Sequence, residues 1–597
     1  MSGLATLKAA WPILRRAIAS GQIFRPDCEL VEPAPDVIPR YDVKIPMREG
    51  FTLTANIFES RQRQAEGRPS PVVMCAHPYD NHLLPALKRT PLGGPPKQYR
   101  LLPQSGKTPS FSTLTSWESP DPNFWVPAGY TVVNLNLPGF ANSGGPASIV
   151  SAHQGACFRE AIEWVGAQDW CTGGVGLCGV SFLCISQYLA AAAPDEEVLP
   201  AALKCIIPWE GLSDIYQDVA CRGGVPDRGF LNFWWHTEVK GSLNIPLAEF
   251  LSVEEGTPPD ILKLHPTYDE YWKAKVPPLE NITVPMLLCA SFSDHELHTM
   301  GSFRAYEKAR SHHKWLYTHR SGKWSEYYSP DSLALQRDFM DHFLKGETTR
   351  FAELPAARIE VRSDRETVKD VRWEESWPPA PTEYRPFYLR GNTRLSSEPD
   401  AAPNKISYDG ASGQAEFDLT FEEETEITGY MKLKLWVEAR GIHEKDPTPV
   451  DMILCCFVDK LDQAGRSVRF YGAAGQDQDM VTRGYGRAAR RALDPIRSQP
   501  HLPVLLNEED AWLEPGKIVP LEIAFCPSAT HFEKGETLRL IIAGRDIVYG
   551  PIFKKDTTAN HGLHMLHFGS EFDAHLLVPF TGQNSDLGLG PATASSS

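Results

Sequence analysis

Short, nearly continuous apolar runs recur along the first 320 residues. They are P-V-V-M-C-A (71–76), T-V-V-N-L-N-L (131–137), G-V-G-L-C-G-V (174–180), A-L-K-C-I-I-P-W (202–209), V-P-M-L-L-C-A-S-F (284–292) and K-W-L-Y-T (314–318). Runs of this length bounded by turn residues read as strands buried on both faces. Between them lie stretches of helical period: F-R-E-A-I-E-W-V-G-A-Q (158–168), F-L-C-I-S-Q-Y-L-A-A-A (182–192), M-G-S-F-R-A-Y-E-K-A (300–309) and S-L-A-L-Q-R-D-F-M-D-H-F-L-K (332–345), the last stopped by Gly346. Alternating strands and helices predict a mostly parallel sheet with helices on both faces, and such sheets hold ligands beyond the carboxyl ends of their strands.

Three stretches break this rhythm. Residues 41–58 read as a hairpin turning at Glu49-Gly50. Residues 211–280 carry the aromatic run F-L-N-F-W-W-H-T and a helical stretch S-V-E-E-G-T-P-P-D-I-L-K-L, which predicts a mostly helical insertion above the sheet. Residues 81–120, rich in Pro, Gly, Ser and Lys, read as a long surface excursion. Beyond 350 the helical pattern fades. I-E-V-R-S, F-D-L-T-F, Y-M-K-L-K-L-W-V-E, M-I-L-C-C-F-V-D and T-L-R-L-I-I-A are strands separated by Gly, Pro, Asp and Asn, the texture of a β-sandwich or jelly roll. The division expected is an N-terminal extension at 1–40, a sheet domain at 41–210 and 281–350, a helical cap at 211–280, a β-domain at 351–585 and a frayed tail at 586–597.

Size and charge narrow the classes. At 597 residues the chain exceeds one ordinary hydrophobic core. Its 59 Lys plus Arg against 75 Asp plus Glu give a net charge of −16 with no long basic block, which argues against nucleic acid as a main partner. No stretch reaches the length of a membrane span, so no stable membrane insertion is expected. The first 21 residues are interrupted by Lys8, Arg15 and Arg16 and read as an amphipathic helix rather than a signal peptide. Twelve cysteines without close ligand spacing, several in apolar runs, fit buried thiols in a reducing, cytoplasmic setting.

Gly179-Val180-Ser181 falls where a strand meets a helix. Ser181 is either a nucleophile lifted on a sharp turn, with the backbone N–H of Phe182 placed to receive an oxyanion, or a small residue at an ordinary strand–helix junction. A position two residues later that favours glycine is Leu183 here. A nucleophile needs a base and an orienting acid, and in this architecture both follow at later strand ends. Asp294 follows M-L-L-C-A-S-F-S, and His319 follows K-W-L-Y-T. The order Ser181, Asp294, His319 therefore predicts a triad with His319 as the base. His295, His298, His312 and His313 crowd the same region, but their spacing is not a zinc pattern, and His561, His564 and His567 read as surface or domain-contact residues. No metal and no cofactor are expected.

Taken together the chain resembles the cocaine esterase-like hydrolases, a group related to Xaa-Pro dipeptidyl-peptidases and α-amino-acid ester hydrolases. The resemblance is carried by M-R-E-G-F-T-L-T-A-N-I-F, H-P-Y-D, W-V-P-A-G-Y-T-V-V, I-E-W-V-G-A-Q-D-W-C-T-G-G-V-G-L-C-G-V-S-F, F-M-D-H-F-L-K-G and H-F-G-S-E-F-D-A-H-L-L-V-P-F. It implies an α/β-hydrolase domain with an inserted helical cap, followed by a C-terminal β jelly-roll domain. It assigns Ser181, Asp294 and His319 to the triad and Tyr79, beside Phe182 N–H, to the oxyanion hole. Two departures stand out: Phe182-Leu183-Cys184 after the serine where relatives read Tyr-x-Gly, and Asn136-Leu137-Pro138-Gly139 where relatives carry a charge pair. The function expected is a serine hydrolase cleaving a carboxylic ester, or thioester, of a small apolar molecule. The alternatives are a dipeptidyl-peptidase or amino-acid ester hydrolase, with Glu210, Asp214 and Asp218 as acids for a substrate amine, and an acyltransferase or repurposed binding protein. Phe230, Phe233, Trp234 and Trp235 are candidates to line an apolar pocket. The partner expected is a small ester or related acyl substrate, and the chain is compatible with a homo-oligomer.

Overall fold

A computed structural model describes residues 2–24, 26–87, 94, 96–102, 107–443, 449–472, 478–548, 550 and 552–581. The tail expected at 586–597 and parts of the 81–120 excursion lie outside the described residues.

Strands form where the apolar runs and the hairpin stand. Those of the sheet domain are β1 (Val37–Pro46), β2 (Thr52–Ser60), β3 (Ser70–His77), β4 (Thr131–Asn136), β5 (Cys171–Val180), β6 (Leu203–Trp209), β7 (Met286–Ser291) and β8 (Lys314–His319). They pair in the order β1-β2-β4-β3-β5-β6-β7-β8, with β2 antiparallel to its neighbours and the rest parallel. β9 (Ala357–Arg362) adds in parallel to β8, and β10 (Val368–Glu374) pairs antiparallel to β9. The hairpin begins at Val37, inside the stretch read as an extension, because Val37–Arg40 pair with Ile57–Ser60 ahead of a register shift.

The N-terminal helix α1 (Ser2–Ala19) seats Ile13 and Ala17 with no exposure and packs on the cap. Helices α2 (Ala152–Gly166) and α3 (Phe182–Ala191) pack together on one face of the sheet. α2 starts at a full capping box, in which Ser151 and Gln154 satisfy each other's backbone N–H groups. The cap holds short helices, among them α4 (Phe230–Trp234). The single helix read over S-V-E-E-G-T-P-P-D-I-L-K-L is two, Leu247–Glu254 and Ile261–Leu264. Glu255 takes a left-handed conformation, and the Pro258-Pro259 pair cannot continue a helix. α5 (Thr299–Lys308) follows β7. α6 (Pro330–Met340) covers the other face of the sheet, where Met340 Sδ would lie 2.5 Å from a Cβ on Gly176.

Beyond β10, strands Gln414–Thr420, Thr537–Ala543, Ile453–Leu461 and Thr482–Arg487 form one antiparallel sheet. A second is built around Lys432–Arg440, Leu563–Phe568 and His575–Thr581. Alternating residues of both, such as Leu433, Leu435, Leu454, Cys456, Leu540 and Ile542, fill the core between them. Arg362 at the end of β9 pairs with Thr530, so the hydrolase sheet runs on into this domain. All twelve cysteines are buried, and no disulfide is found among the described residues. No helix among the described residues is long and apolar enough to cross a membrane.

Candidate active site

Ser181 sits between β5 and α3 with φ 61° and ψ −115°, a conformation that non-glycine residues hold only when the surroundings enforce it. Its N–H is shared by the carbonyls of Trp209 and Glu210, both at 3.1 Å, at the end of the neighbouring β6. The turn tolerates Leu183 because the crowding is relieved from the other side. Gly179 has φ +150°, and a Cβ there would lie 2.5 Å from the Cβ of Leu183. Leu183 is fully buried against that bare backbone.

Ser181 Oγ lies 3.3 Å from Nε2 of His298, and His298 Nδ1 lies 2.5 Å from Asp294 Oδ2. With Nδ1–H donated to the carboxylate, Nε2 presents its lone pair to the serine hydroxyl. The structure thus brings Ser181 and Asp294 into one relay through His298, at the start of α5. It does not place His319 there. His319 Nε2 is 2.8 Å from Glu210 Oε1, both side chains are fully buried, and Ser291 Oγ donates to the other oxygen of Glu210 at 2.5 Å. The expected base is corrected on this ground: Glu210, directly after β6, captures the histidine that ends β8. The spacing Asp294-x-x-x-His298 was the available signal, since a residue in a turn reaches a partner four positions on at a helix start. The Glu210–His319 pair likewise removes Glu210 from substrate contact.

Lys323 is a further charged group at the relay. Its Nζ lies 3.2 Å from Asp294 Oδ2 and 3.2 Å from His298 Nδ1. Burial alone would raise the Asp294 carboxyl, but the Lys323 ammonium and His298 outweigh it and hold it below the usual carboxylate range. For His298, burial and then Lys323 push the pKa down, against the pull of Asp294, which favours the neutral imidazole. His319 is opposite. Burial lowers it, yet the Glu210 carboxylate carries it above the ordinary histidine value. Glu118 accepts from Trp324 Nε1 at 2.9 Å, and burial pushes its carboxyl up to about 8.

Tyr79 lies just past β3, and its hydroxyl accepts from Trp234 Nε1 at 3.2 Å. Burial and the nearby Glu118 raise its pKa, which keeps the phenol protonated and able to donate. His77, driven down to about 4 by burial, holds the Tyr79 carbonyl at 3.1 Å through Nδ1. Asn136 supports the same loop: its Oδ1 accepts from Asn81 N–H at 3.3 Å and its Nδ2 donates to Thr54 Oγ1 at 3.1 Å. Neutral amides thus do the bracing here. Phe182 N–H stands in the first turn of α3, where backbone donors have no intrahelical acceptor.

Ser181, Phe182, Tyr79 and His298 open into a narrow cavity of about 30 Å³, walled on the cap side by Phe230, Leu231 and Trp234 of α4. Phe182 stacks on Trp234 at 5.9 Å. Of the expected lining residues Phe230 and Trp234 are in place. Trp235 instead stacks on Phe250 at 5.0 Å, and buried Phe233 is outside the cavity wall. Asp214 accepts from Tyr268 OH at 2.8 Å and borders a separate, larger cleft between the domains. Asp218 is bound to Arg304 at 2.8 Å. The acids considered for a substrate amine therefore do not meet at Ser181.

Residues 49–324 match the family described as X-Pro dipeptidyl-peptidase (S15 family), and residues 349–577 match the X-Pro dipeptidyl-peptidase C-terminal non-catalytic domain. A CocE/NonD family hydrolase from Staphylococcus aureus is 33% identical, with 91% of this chain and 94% of that one covered at a TM-score of 0.80. The chain belongs to the CocE/NonD hydrolase family. It is also 24% identical over 401 residues to a cocaine esterase of Rhodococcus sp. (strain MB1 Bresler), covering 59% of this chain and 62% of the esterase, less than two thirds of that relative's length. An α-amino acid ester hydrolase, at 15% identity and a TM-score of 0.65, shares the fold. In this member of the family the strand order 1-2-4-3-5-6-7-8 brings the ends of β5, β7 and β8 together at one edge. Three chain-distant residues, Ser181, Asp294 and Lys323, can therefore share one site.

Proposed function

We propose that this hydrolase is a serine esterase for small, apolar carboxylic esters, and that its base is His298. The reading rests on the hydrogen-bonded series Ser181 Oγ, His298 Nε2 and Nδ1, Asp294 Oδ2 at the floor of an apolar cavity. His298 takes the Ser181 proton as Oγ attacks the ester carbonyl, and Asp294 stabilises the imidazolium that forms. The developing oxyanion is received by the Phe182 N–H and the Tyr79 hydroxyl. Collapse expels the alcohol, protonated by His298, and leaves an acyl-Ser181. Water, deprotonated by His298, then releases the acid and restores the serine. A thioester would follow the same path with a thiol leaving. The match to the S15 family supports a second reading, cleavage of amino-acyl substrates, for which a free α-amine on the substrate would be required.

The test is intact mass after incubation with a fluorophosphonate, for wild type and for Ser181→Ala, His298→Ala and His319→Ala. One adduct on wild type, absent from Ser181→Ala and slowed in His298→Ala, supports the assignment. An unlabelled but folded wild type would overturn it. Turnover of short-chain acyl esters against dipeptide and amino-acid esters, with and without a blocked amine, separates the two substrate readings.

A further inference from the structure

His295 and Glu296 lie inside the turn that joins Asp294 to His298, so whatever grips them fixes the base. The grip comes from outside the hydrolase domain. Glu296 Oε1 accepts from Arg483 Nη1 and from the Tyr485 hydroxyl, both on strand Thr482–Arg487 of the jelly-roll domain. Glu296 Oε2 stands 3.2 Å from Lys555 Nζ, which also reaches Asp227 Oδ2 of the cap at 3.3 Å. Arg483 is itself held by Asp479, whose other oxygen lies 3.4 Å from His295 Nδ1. The His295 carbonyl accepts from Arg222 of the cap. The side chains of Glu296, Arg483, Asp479, His295, Lys555 and Asp227 have no solvent exposure.

A buried ionic network is a poor way to gain stability, because the desolvation of each charge offsets most of the attraction. It does fix geometry, since every partner must be met at hydrogen-bond distance. Among the described residues, the side-chain cations on Glu296 belong to the jelly-roll domain. Without that domain docked, Glu296, two residues from His298, would lose the Arg483 and Lys555 cations that hold it. We propose that the C-terminal domain is a positioning element of the catalytic machinery: Arg483, acting through Glu296, holds the Asp294–His298 turn so that His298 Nε2 faces Ser181. This deepens the serine-esterase reading and rests on it. Arg483 and Tyr485 touch neither substrate nor reacting atoms and are positioning residues.

The experiment compares Arg483→Met, Arg483→Lys and Tyr485→Phe with wild type, reading kcat and KM on a short-chain ester and the rate of fluorophosphonate labelling. Displacement of the base is expected to lower kcat and labelling in Arg483→Met on the order of 10- to 100-fold with KM nearly unchanged. Arg483→Lys, which keeps the cation, is expected to recover part of the loss. Tyr485→Phe is isosteric and removes one bond to Glu296. It is expected to lose rate at constant KM, and it carries the test if Arg483→Met does not fold. Folded variants that retain wild-type kcat and labelling, while His298→Ala loses both, would overturn the positioning role and leave the esterase reading standing. A wild type that is never labelled would remove both.

Discussion

His298 Nε2 stands 3.3 Å from Ser181 Oγ, and His298 is tied through its other nitrogen to Asp294, its neighbour four residues back. The carboxylate and the imidazole beside Ser181 thus come from one turn after β7. The histidine that ends β8 is instead paired with Glu210.

Replacing the two histidines separates those tasks. His298→Ala is expected to lower kcat/KM and labelling of Ser181 by about 10²- to 10⁴-fold, the range of a general base, with little change in thermal stability. His319→Gln is expected to keep Ser181 reactive but to destabilise the fold by about 3–5 kcal/mol, because Glu210 would stay buried without its cation. Thermal melts beside labelling rates check both. The reverse pattern would restore His319 as the base.

The Glu210–His319 pair also gives stability a pH dependence. The folded pKa of His319 lies above its unfolded value, so its contribution is complete below about pH 6.5 and fades as pH rises through the folded value. Wild type is expected to lose melting temperature on passing from pH 6 toward alkaline pH by an increment that His319→Gln lacks. Parallel melts across that range measure it.

Lys323 sets where activity begins. His298 must be neutral to act, and burial together with the Lys323 ammonium holds its pKa down. In Lys323→Met one of these causes is gone, so the acid limb of kcat/KM should move to higher pH. A limb that stays in place would show that the ammonium does not act on the base.

Tyr79→Phe removes a donor without changing shape. If its hydroxyl receives the oxyanion, kcat should fall about 10²- to 10³-fold while KM holds. The labelling rate should fall with it. A loss confined to KM would mean that Tyr79 only lines the pocket.

Gly179→Ala tests the altered elbow. The added Cβ would sit 2.5 Å from that of Leu183 on a backbone of φ +150°, so both folding and labelling are expected to suffer. Gly179→Ala with Leu183→Gly relieves the contact but not the backbone strain, and it should recover only in part. Full recovery would assign the whole effect to packing.

Much of this protein is written locally. Apolar runs such as Val72–Ala76 and Met286–Ala290 are buried along their whole length, and a parallel sheet covered on both faces requires that pattern. Ser181 and Asp294 follow strand ends, and strand ends are legible in the sequence. The choice between His298 and His319 was not. His319 ends a strand and His298 opens a helix, both have a carboxylate within reach, and which imidazole meets the serine depends on where Glu210 projects when β6 is laid between β5 and β7. Substrate acids failed to be legible for the same reason. Asp214 and Asp218 are close to Glu210 in sequence, but Tyr268 and Arg304, more than fifty residues away, claim them. Hydrophobic burial follows a periodicity that a chain carries in its own order. Hydrogen-bond and ion-pair partners are chosen in three dimensions, among groups that only the packed fold brings within 3 Å.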